Sequence, residues 1–173
     1  AIRPDLLRPL QAIQELNRDK KAAQALGLFK DIDALTDANP MEVFTTERLR
    51  AVVYIAAGQP EPAGKALDKA LQTERGTVPE RLALMENLAL IQYQAKAYAE
   101  AAQWAGRYLS MGGQRMQFRQ LQAQSLYLAG QYKPAAELLQ QLLQSDLDAQ
   151  RRPDEISLRM LADSHQKFHD EAG

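Results

Sequence analysis

The sequence predicts an all-α fold, a right-handed α-solenoid of antiparallel helical hairpins with about four hairpins, an unpaired C-terminal helix and roughly nine helices in total. The main observation is an internal repeat of 34 residues, a period typical of two short helices and their turns. Seven of 21 aligned positions are identical, against roughly one or two expected from composition. The recurring residues are small or aromatic: Ala89, Tyr93, Ala95, Tyr98, Ala101, Ala102 and Leu109 recur as Ala123, Tyr127, Ala129, Tyr132, Ala135, Ala136 and Leu143.

Composition supports the same fold class. The chain has 173 residues, of which 46% are hydrophobic and only 6% aromatic. Alanine, leucine and glutamine are abundant, and these residues favour helices. We therefore predict one repeat domain spanning residues 1–173.

The first two predicted hairpins cover about residues 5–36 and 40–73. In the first, Ala25, Phe29 and Ile32 have the spacing of a buried stripe on the second helix. The second hairpin begins at Asn39-Pro40, where Asn39 can cap the helix and proline lies where a missing N–H costs least. Its turn falls at Gly58-Gln59-Pro60.

The third and fourth predicted hairpins cover about residues 80–111 and 114–145. Thr77 and Glu80 have the spacing of a capping box at the start of the third. The turns are predicted at Lys96-Ala97 and at Gly130-Gln131, in equivalent positions of the repeat. Small residues at Ala89, Ala101, Ala123 and Ala135 are assigned to close helix crossings.

A single helix is predicted for residues 154–169. The segment Asp170–Gly173 follows it, where a turn into a partner helix would stand. Leu158 and Leu161 on this helix need an apolar neighbour, so we expect either a truncated protein or a helix that caps the stack.

Charge and composition argue against several classes of partner. The 21 basic and 22 acidic residues give a net charge of −1, so no large field attracts nucleic acid or an anionic membrane. No apolar run approaches the roughly 20 residues of a membrane span, so we expect no membrane insertion. The absence of cysteine excludes thiolate chemistry and cysteine-ligated zinc.

No catalytic pattern is visible in the sequence. It contains no serine, histidine and acid trio, no phosphate loop and no glycine-rich fingerprint, so we expect no enzyme activity and no cofactor. His165 and His169 are four residues apart on one predicted helix, a spacing that lets two imidazoles share a metal ion. The alternative is that both are solvent-facing helix residues.

The repeated residues resemble the tetratricopeptide repeat (TPR). That motif has small residues where its two helices cross, matching Ala89 with Ala101 and Ala123 with Ala135, and a tyrosine at the start of its second helix, matching Tyr98 and Tyr132. The usual glycine of the first helix is alanine here, and the usual proline at the repeat end is absent. The resemblance covers about residues 5–170 and is strongest for residues 82–145.

This resemblance implies a protein-binding scaffold, because the first helix of each hairpin lines a concave groove suited to an extended peptide or a partner helix. Tyr93 and Tyr127 lie one repeat apart on this wall and could grip a partner side chain. The alternative is that they pack between adjacent repeats. The candidate groove residues are Arg48, Asn87, Leu90, Tyr93, Gln94, Gln120, Gln124, Tyr127, Arg159 and Asp163.

Chaperone-binding TPR domains clamp a C-terminal carboxylate with basic and asparagine side chains. Arg48 and Asn87 could supply two members of such a clamp. Val52, Gln117 and Leu121 occupy the other places and cannot supply the rest, so we expect a different mode of recognition.

Two phrases, residues 109–113 and 161–167, are similar to exported TPR proteins of Gram-negative bacteria, some of them encoded near TonB-type systems. This similarity favours a periplasmic, envelope-associated assembly component and leaves a cytoplasmic location open. A second hypothesis is a self-assembly module that forms a homo-oligomer through its terminal helices. A third is a divalent-metal site at the histidine pair.

Overall fold

A computed structural model describes residues 1–172 of the chain. These residues form nine helices and no strand, which confirms the predicted all-α class. The chain divides into two compact units, Ala1–Ile91 (unit 1) and Gln92–Gly173 (unit 2). The helices are α1 (Pro4–Arg18), α2 (Ala22–Asp33), α3 (Pro40–Ala56), α4 (Pro60–Gln72), α5 (Val78–Gln94), α6 (Tyr98–Ser110), α7 (Met116–Leu128), α8 (Tyr132–Asp148) and α9 (Glu155–Ala172).

Both predicted helix starts in unit 1 are confirmed. The backbone N–H of Glu42 donates to Asn39 Oδ1 at 2.9 Å, and the N–H of Asn39 donates to Glu42 Oε2 at 3.0 Å. Thr77 and Glu80 form the same reciprocal pair at the start of α5, with distances of 2.9 and 3.3 Å. Each pair satisfies N–H groups that have no partner inside the helix.

The turns between helices end in a residue with left-handed backbone conformation. Gly58 and Gly130 have φ of 71° and 79°, and Lys96 has φ of 61° in the position equivalent to Gly130. The N–H of the next residue then bonds to a carbonyl in the last helical turn, as in Ala97 to Gln92 (2.9 Å) and Gln131 to Leu126 (2.9 Å). This is the Schellman motif, and it confirms the two predicted repeat turns.

Unit 1 has its core between the first helices of the chain. The predicted stripe of Ala25, Phe29 and Ile32 is buried, at 0, 2 and 6% exposure. It packs with a matching stripe on α1, and each buried aliphatic or aromatic side chain contributes roughly 1.5–3 kcal/mol. The remaining members of this cluster are Leu6, Leu10, Ile13 and Val53.

A buried carboxylate joins the start of α1 to the start of α3. Glu42 is 1% exposed, and its Oε1 accepts hydrogen bonds from the backbone N–H and the Nε of Arg3, at 3.0 and 3.1 Å. Burial alone would raise the pKa of Glu42, but the bonds from Arg3 and Asn39 and the charge of Arg3 outweigh it and lower the pKa. The two partners are 39 residues apart in the sequence.

Unit 2 is built around small residues. Ala101, Ala123 and Ala135 are completely buried, as is Ala89 in unit 1, consistent with the predicted close crossings. Ser125 and Ser164 are also completely buried, in equivalent places on α7 and α9. The core cluster beneath α9 consists of Ala123, Ala136, Leu139 and Leu161.

Several boundaries differ from the prediction. The second helix of the fourth hairpin runs to Asp148 rather than about Gln144, because no glycine or proline interrupts it before Pro153. The last helix continues through Ala172, so the turn predicted at Asp170–Gly173 was wrong for its first three residues; Gly173 lies outside the described residues. Leu161 is buried, whereas Leu158 remains 39% exposed.

Candidate functional site

All ten candidate groove residues reach the surface, and none of them is buried. Three belong to unit 1, namely Arg48 on α3 and Asn87 and Leu90 on α5; the other seven belong to unit 2. Arg48, Asn87, Gln94 and Arg159 are exposed, and the rest are half-buried.

The first tyrosine pair flanks the turn between α5 and α6. The rings of Tyr93 and Tyr98 lie edge to face, with centroids 5.5 Å apart and an angle of 71°. Such a contact stabilises the turn beyond the area it buries. The hydroxyl of Tyr93 makes no hydrogen bond with any residue that the structure describes.

The second tyrosine pair repeats this geometry but is covered by α9. Tyr127 and Tyr132 have centroids 5.8 Å apart and the same angle of 71°. The hydroxyl of Tyr127 donates to Asp163 Oδ2 at 2.6 Å. Lys167 Nζ lies 3.0 Å from the same oxygen and 3.4 Å from the Tyr132 hydroxyl. We call Tyr127, Tyr132, Asp163 and Lys167 the tyrosine clasp.

The electrostatics of the clasp favour its present protonation state. The hydrogen bond from Tyr127 and the contact with Lys167 lower the pKa of Asp163. The bond to Asp163 raises the pKa of Tyr127, and the bonds to Asp163 and Tyr132 raise the pKa of Lys167. Lys167 also lies over the Tyr132 ring, 4.9 Å from its centroid. The clasp is therefore an internal contact between α7, α8 and α9.

Two of the candidate residues, Tyr127 and Asp163, are thus bonded to each other. Tyr132 was predicted only as a helix-start residue, and Lys167 was not a candidate at all. The signal that could have found Lys167 is its position four residues after Asp163 on one helix, where opposite charges attract. Arg159 has no described contact with the clasp.

In unit 1, Arg48 lies in a groove between α1 and α3 with a volume of about 400 Å³. Its Nη1 also contacts Glu80 Oε1 at 3.0 Å. The sequence did not predict the α1 side of this groove, although the α1 residues that line it have the spacing of a single helical face. The α1–α3 groove is lined by Leu10, Gln14, Asn17, Arg18, Thr45, Arg48, Leu49 and Val52.

The histidine pair lies on α9. The rings of His165 and His169 are 6.3 Å apart and nearly parallel, and His165 Nε2 lies 3.2 Å from Gln140 Nε2. Among residues 1–170, whose side chains the structure describes, no group of three histidine, cysteine or acidic side chains is arranged to hold a metal ion. Two ligands alone fall short of the three or four that zinc takes from a protein.

Among the described helices, none combines the length and the apolar character that crossing a bilayer requires.

Comparison with known proteins supports the fold. No family model and no curated relative matches the sequence. Two solved structures of a kinesin light chain-like protein from Podosopora anserina, with nearly identical TPR-like repeats, match at a TM-score of 0.60 and 19% identity. One match covers 95% of this chain and 87% of the other, and the second covers 98% and 90%. The chain therefore has a TPR-like helical-repeat fold.

Proposed function

We propose that this TPR-like chain is a non-catalytic scaffold that binds a segment of another protein on the exposed sides of its first helices. The observation that carries the proposal is the α1–α3 groove, an open surface cleft of about 400 Å³ with mixed apolar and polar walls in which a segment of another protein could lie. Arg48, a candidate from the sequence, lies within it. Fold alone would not assign this function.

In unit 2, the candidate residues are expected to contribute unequally. The hydroxyl of Tyr127 is engaged by Asp163, so a partner would have to break an internal bond to use it. Tyr93 and Gln94 have no such restraint from a described side chain. We propose Tyr93 as the stronger partner contact of the two tyrosines.

Site-specific photo-crosslinking tests the scaffold function. Benzoylphenylalanine at Val52, which is 47% exposed in the groove, should capture a partner from a lysate of the source organism. The matched control is Lys65 on α4, whose side chain is 80% exposed outside the groove. The Val52 adduct should disappear when Arg48→Glu is added. Equal labelling at both positions would contradict the proposal.

Self-assembly is the second candidate function, and the exposed apolar side chains near the C-terminus favour it. Leu147, Ile156 and Leu158 are 54, 58 and 39% exposed, and apolar side chains left open to water near a chain end favour a contact with another copy. Light scattering over a range of protein concentrations tests it. A strictly monomeric chain, or oligomers that survive Ile156→Glu with Leu158→Glu, would remove this alternative.

Two finer proposals concern a metal site and the location of the protein in the cell. A divalent-metal site at His165 and His169 predicts heat on titration with zinc, which His165→Ala should abolish. An envelope-associated, periplasmic role rests only on the resemblance of two short phrases, and fractionation of the source organism tests it.

A further inference from the structure

A second cavity of unit 1 shares no residue with the α1–α3 groove. Its walls come from the start of α1, the end of α2 with the loop that follows, α3 and α4. Its volume is about 190 Å³, below the roughly 300–1,000 Å³ of sites for drug-sized molecules. We call it the Thr46 cavity, after a residue of α3 that lines it. Its size suits a small molecule rather than a chain segment.

The hydroxyl of Thr46 has no partner inside the protein. Thr46 is only 6% exposed, yet its hydroxyl forms no hydrogen bond with any residue that the structure describes. The hydroxyl oxygens of Ser125 and Ser164 are also unbonded but are sealed from solvent, whereas that of Thr46 is not. A molecule in the cavity can therefore reach this group, which both donates and accepts hydrogen bonds.

The next residue, Glu47, also lines the cavity and is incompletely bonded. It is 5% exposed, and its Oε2 accepts a hydrogen bond from Arg50 Nε at 3.2 Å. Its Oε1 lies 3.5 Å from the ammonium group of Lys69, well beyond the roughly 2.7–2.9 Å of a charge-assisted hydrogen bond. This buried carboxylate oxygen therefore has room for a closer donor.

The charged side chains that line the cavity balance one another. Arg3 and Lys69 are cationic, and Asp33 and Glu47 are anionic. Arg3 and Asp33 are each held by an ion-pair partner outside the cavity. The side chain of Lys69 is 65% exposed, so it can move without loss of packing. A simple cation or anion gains no net attraction here, whereas a zwitterion can satisfy the loose pair of Glu47 and Lys69.

The rest of the wall is aliphatic. Leu6 and Ile32 are buried at 2 and 6% exposure, and Leu35 and Val43 are half-buried. An aliphatic group placed against the last two would remove them from water, which is favourable in proportion to the area covered.

We propose that the Thr46 cavity binds a free α-amino acid with a branched aliphatic side chain. The ammonium group of the ligand donates to Glu47 Oε1 and Thr46 Oγ1, and its carboxylate accepts from Lys69 Nζ. The aliphatic side chain covers Leu35 and Val43. Two close contacts thus replace one loose ion pair, and the net charge of the cavity stays the same. This small-molecule site is separate from the scaffold function and does not depend on it.

The test titrates L-leucine into ¹⁵N-labelled full-length protein and follows the backbone signals by NMR. Two matched analogues keep the isobutyl group: 4-methylpentanoate lacks the ammonium group, and 3-methylbutylamine lacks the carboxylate. We expect leucine to bind with a Kd on the order of 1 mM and to shift the signals of residues 32–38 and 43–47. Each analogue should bind at least about 10-fold more weakly.

Two variants separate recognition from folding. Thr46→Val keeps the shape of the side chain and should weaken leucine about 5-fold, while Tm stays unchanged or rises because the lost hydroxyl has no internal partner. Lys69→Gln should weaken leucine about 10-fold. Its matched control is Lys65→Gln on the same helix, outside the cavity and with an 80% exposed side chain, which should leave the affinity unchanged.

Several outcomes would overturn the proposal. These are equal affinity for leucine and either analogue, undiminished binding by Thr46→Val or Lys69→Gln, and shifts confined to other parts of the chain. A lower Tm for Thr46→Val would show that the hydroxyl serves the fold, and no shift at about 50 mM leucine would exclude the site. The crosslinking at Val52 is independent of all these results and decides the scaffold function separately.

Discussion

The two tyrosine pairs of unit 2 have the same internal geometry but different surroundings. In each pair the rings meet edge to face at 71° across a helical turn. The hydroxyl of Tyr127 is held by Asp163, whereas the hydroxyl of Tyr93 has no described hydrogen-bond partner. The ring contact across the turn is therefore the same in both pairs. The two pairs differ in whether the hydroxyl of the first tyrosine has a hydrogen-bond partner.

This difference bears on two roles that the sequence left open for both tyrosines, namely contact with a partner and internal packing. Both tyrosines pack against a ring of their own hairpin, whereas the structural alternative supposed packing between adjacent repeats. Of the two hydroxyl groups, only that of Tyr127 is bonded to another described side chain. The recurrence of tyrosine in the sequence therefore reflects a ring contact that both hairpins share. Whether the following helix bonds to the tyrosine hydroxyl decides whether that hydroxyl can also contact a partner.

Removal of the rings should give the largest effect. We expect Tyr127→Ala to lower the free energy of unfolding by about 2–3 kcal/mol, since it loses the ring contact and the bond to Asp163, and Tyr93→Ala to cost about 1 kcal/mol less. Urea denaturation followed by circular dichroism measures both. Equal losses would show that the clasp adds nothing to the second pair.

The two turns give the next largest effect. Lys96 adopts the left-handed conformation that Gly130 adopts in the equivalent turn, and a side chain there is strained. Lys96→Gly should therefore raise the free energy of unfolding by about 0.5–1 kcal/mol, and Gly130→Ala should lower it by about 1 kcal/mol. Thermal unfolding of the two variants beside the wild type checks the opposite signs.

The hydroxyl groups alone should give a smaller difference. Tyr127→Phe should cost about 0.5–1 kcal/mol, because the lost bond is half-exposed. Tyr93→Phe should change stability by less than about 0.5 kcal/mol. If the scaffold function holds, the order reverses for the affinity of a partner bound by unit 2: Tyr93→Phe should weaken that binding more than Tyr127→Phe. The same order in both assays would contradict the assignment of Tyr93.

The free energy of unfolding should depend on pH through the clasp. Because the pKa of Asp163 is lowered in the folded state, its contribution is present above the unfolded value of roughly 4 and is lost as the pH falls through the folded pKa. The pKa values of Tyr127 and Lys167 are raised, so their contributions are lost as the pH rises above roughly 10. The difference in urea midpoint between wild type and Tyr127→Phe should shrink as the pH falls from 7 to 3. When both proteins also carry Asp163→Asn, this difference should be nearly independent of pH over the same range.

The sequence predicted the fold through residues whose role is local. Tyr98 and Tyr132 begin α6 and α8 as expected. The alanines assigned to helix crossings, Ala89, Ala101, Ala123 and Ala135, are buried, as expected where only small side chains fit. The capping residues Asn39 and Thr77 act within four positions of themselves, so their pattern could be recognised without tertiary information.

The candidate sites were harder to predict, because they depend on which helices face one another. Lys167 bonds to the hydroxyl of Tyr132, which lies 35 residues earlier in the sequence. An irregular loop between the two residues interrupts the repeat, so the spacing alone did not reveal the contact. The α1 side of the groove was missed since α1 carries no echo of the repeat.

The bond between Arg3 and Glu42 joins the most widely separated residues among the described side-chain hydrogen bonds, and they are only 39 positions apart. A chain held together over such short spans does not need its last residues before its first ones can fold. On a translating ribosome, α1 to α3 could close around Glu42 while most of unit 2 is still unmade. The start of the chain would thus be sheltered from aggregation early in its synthesis.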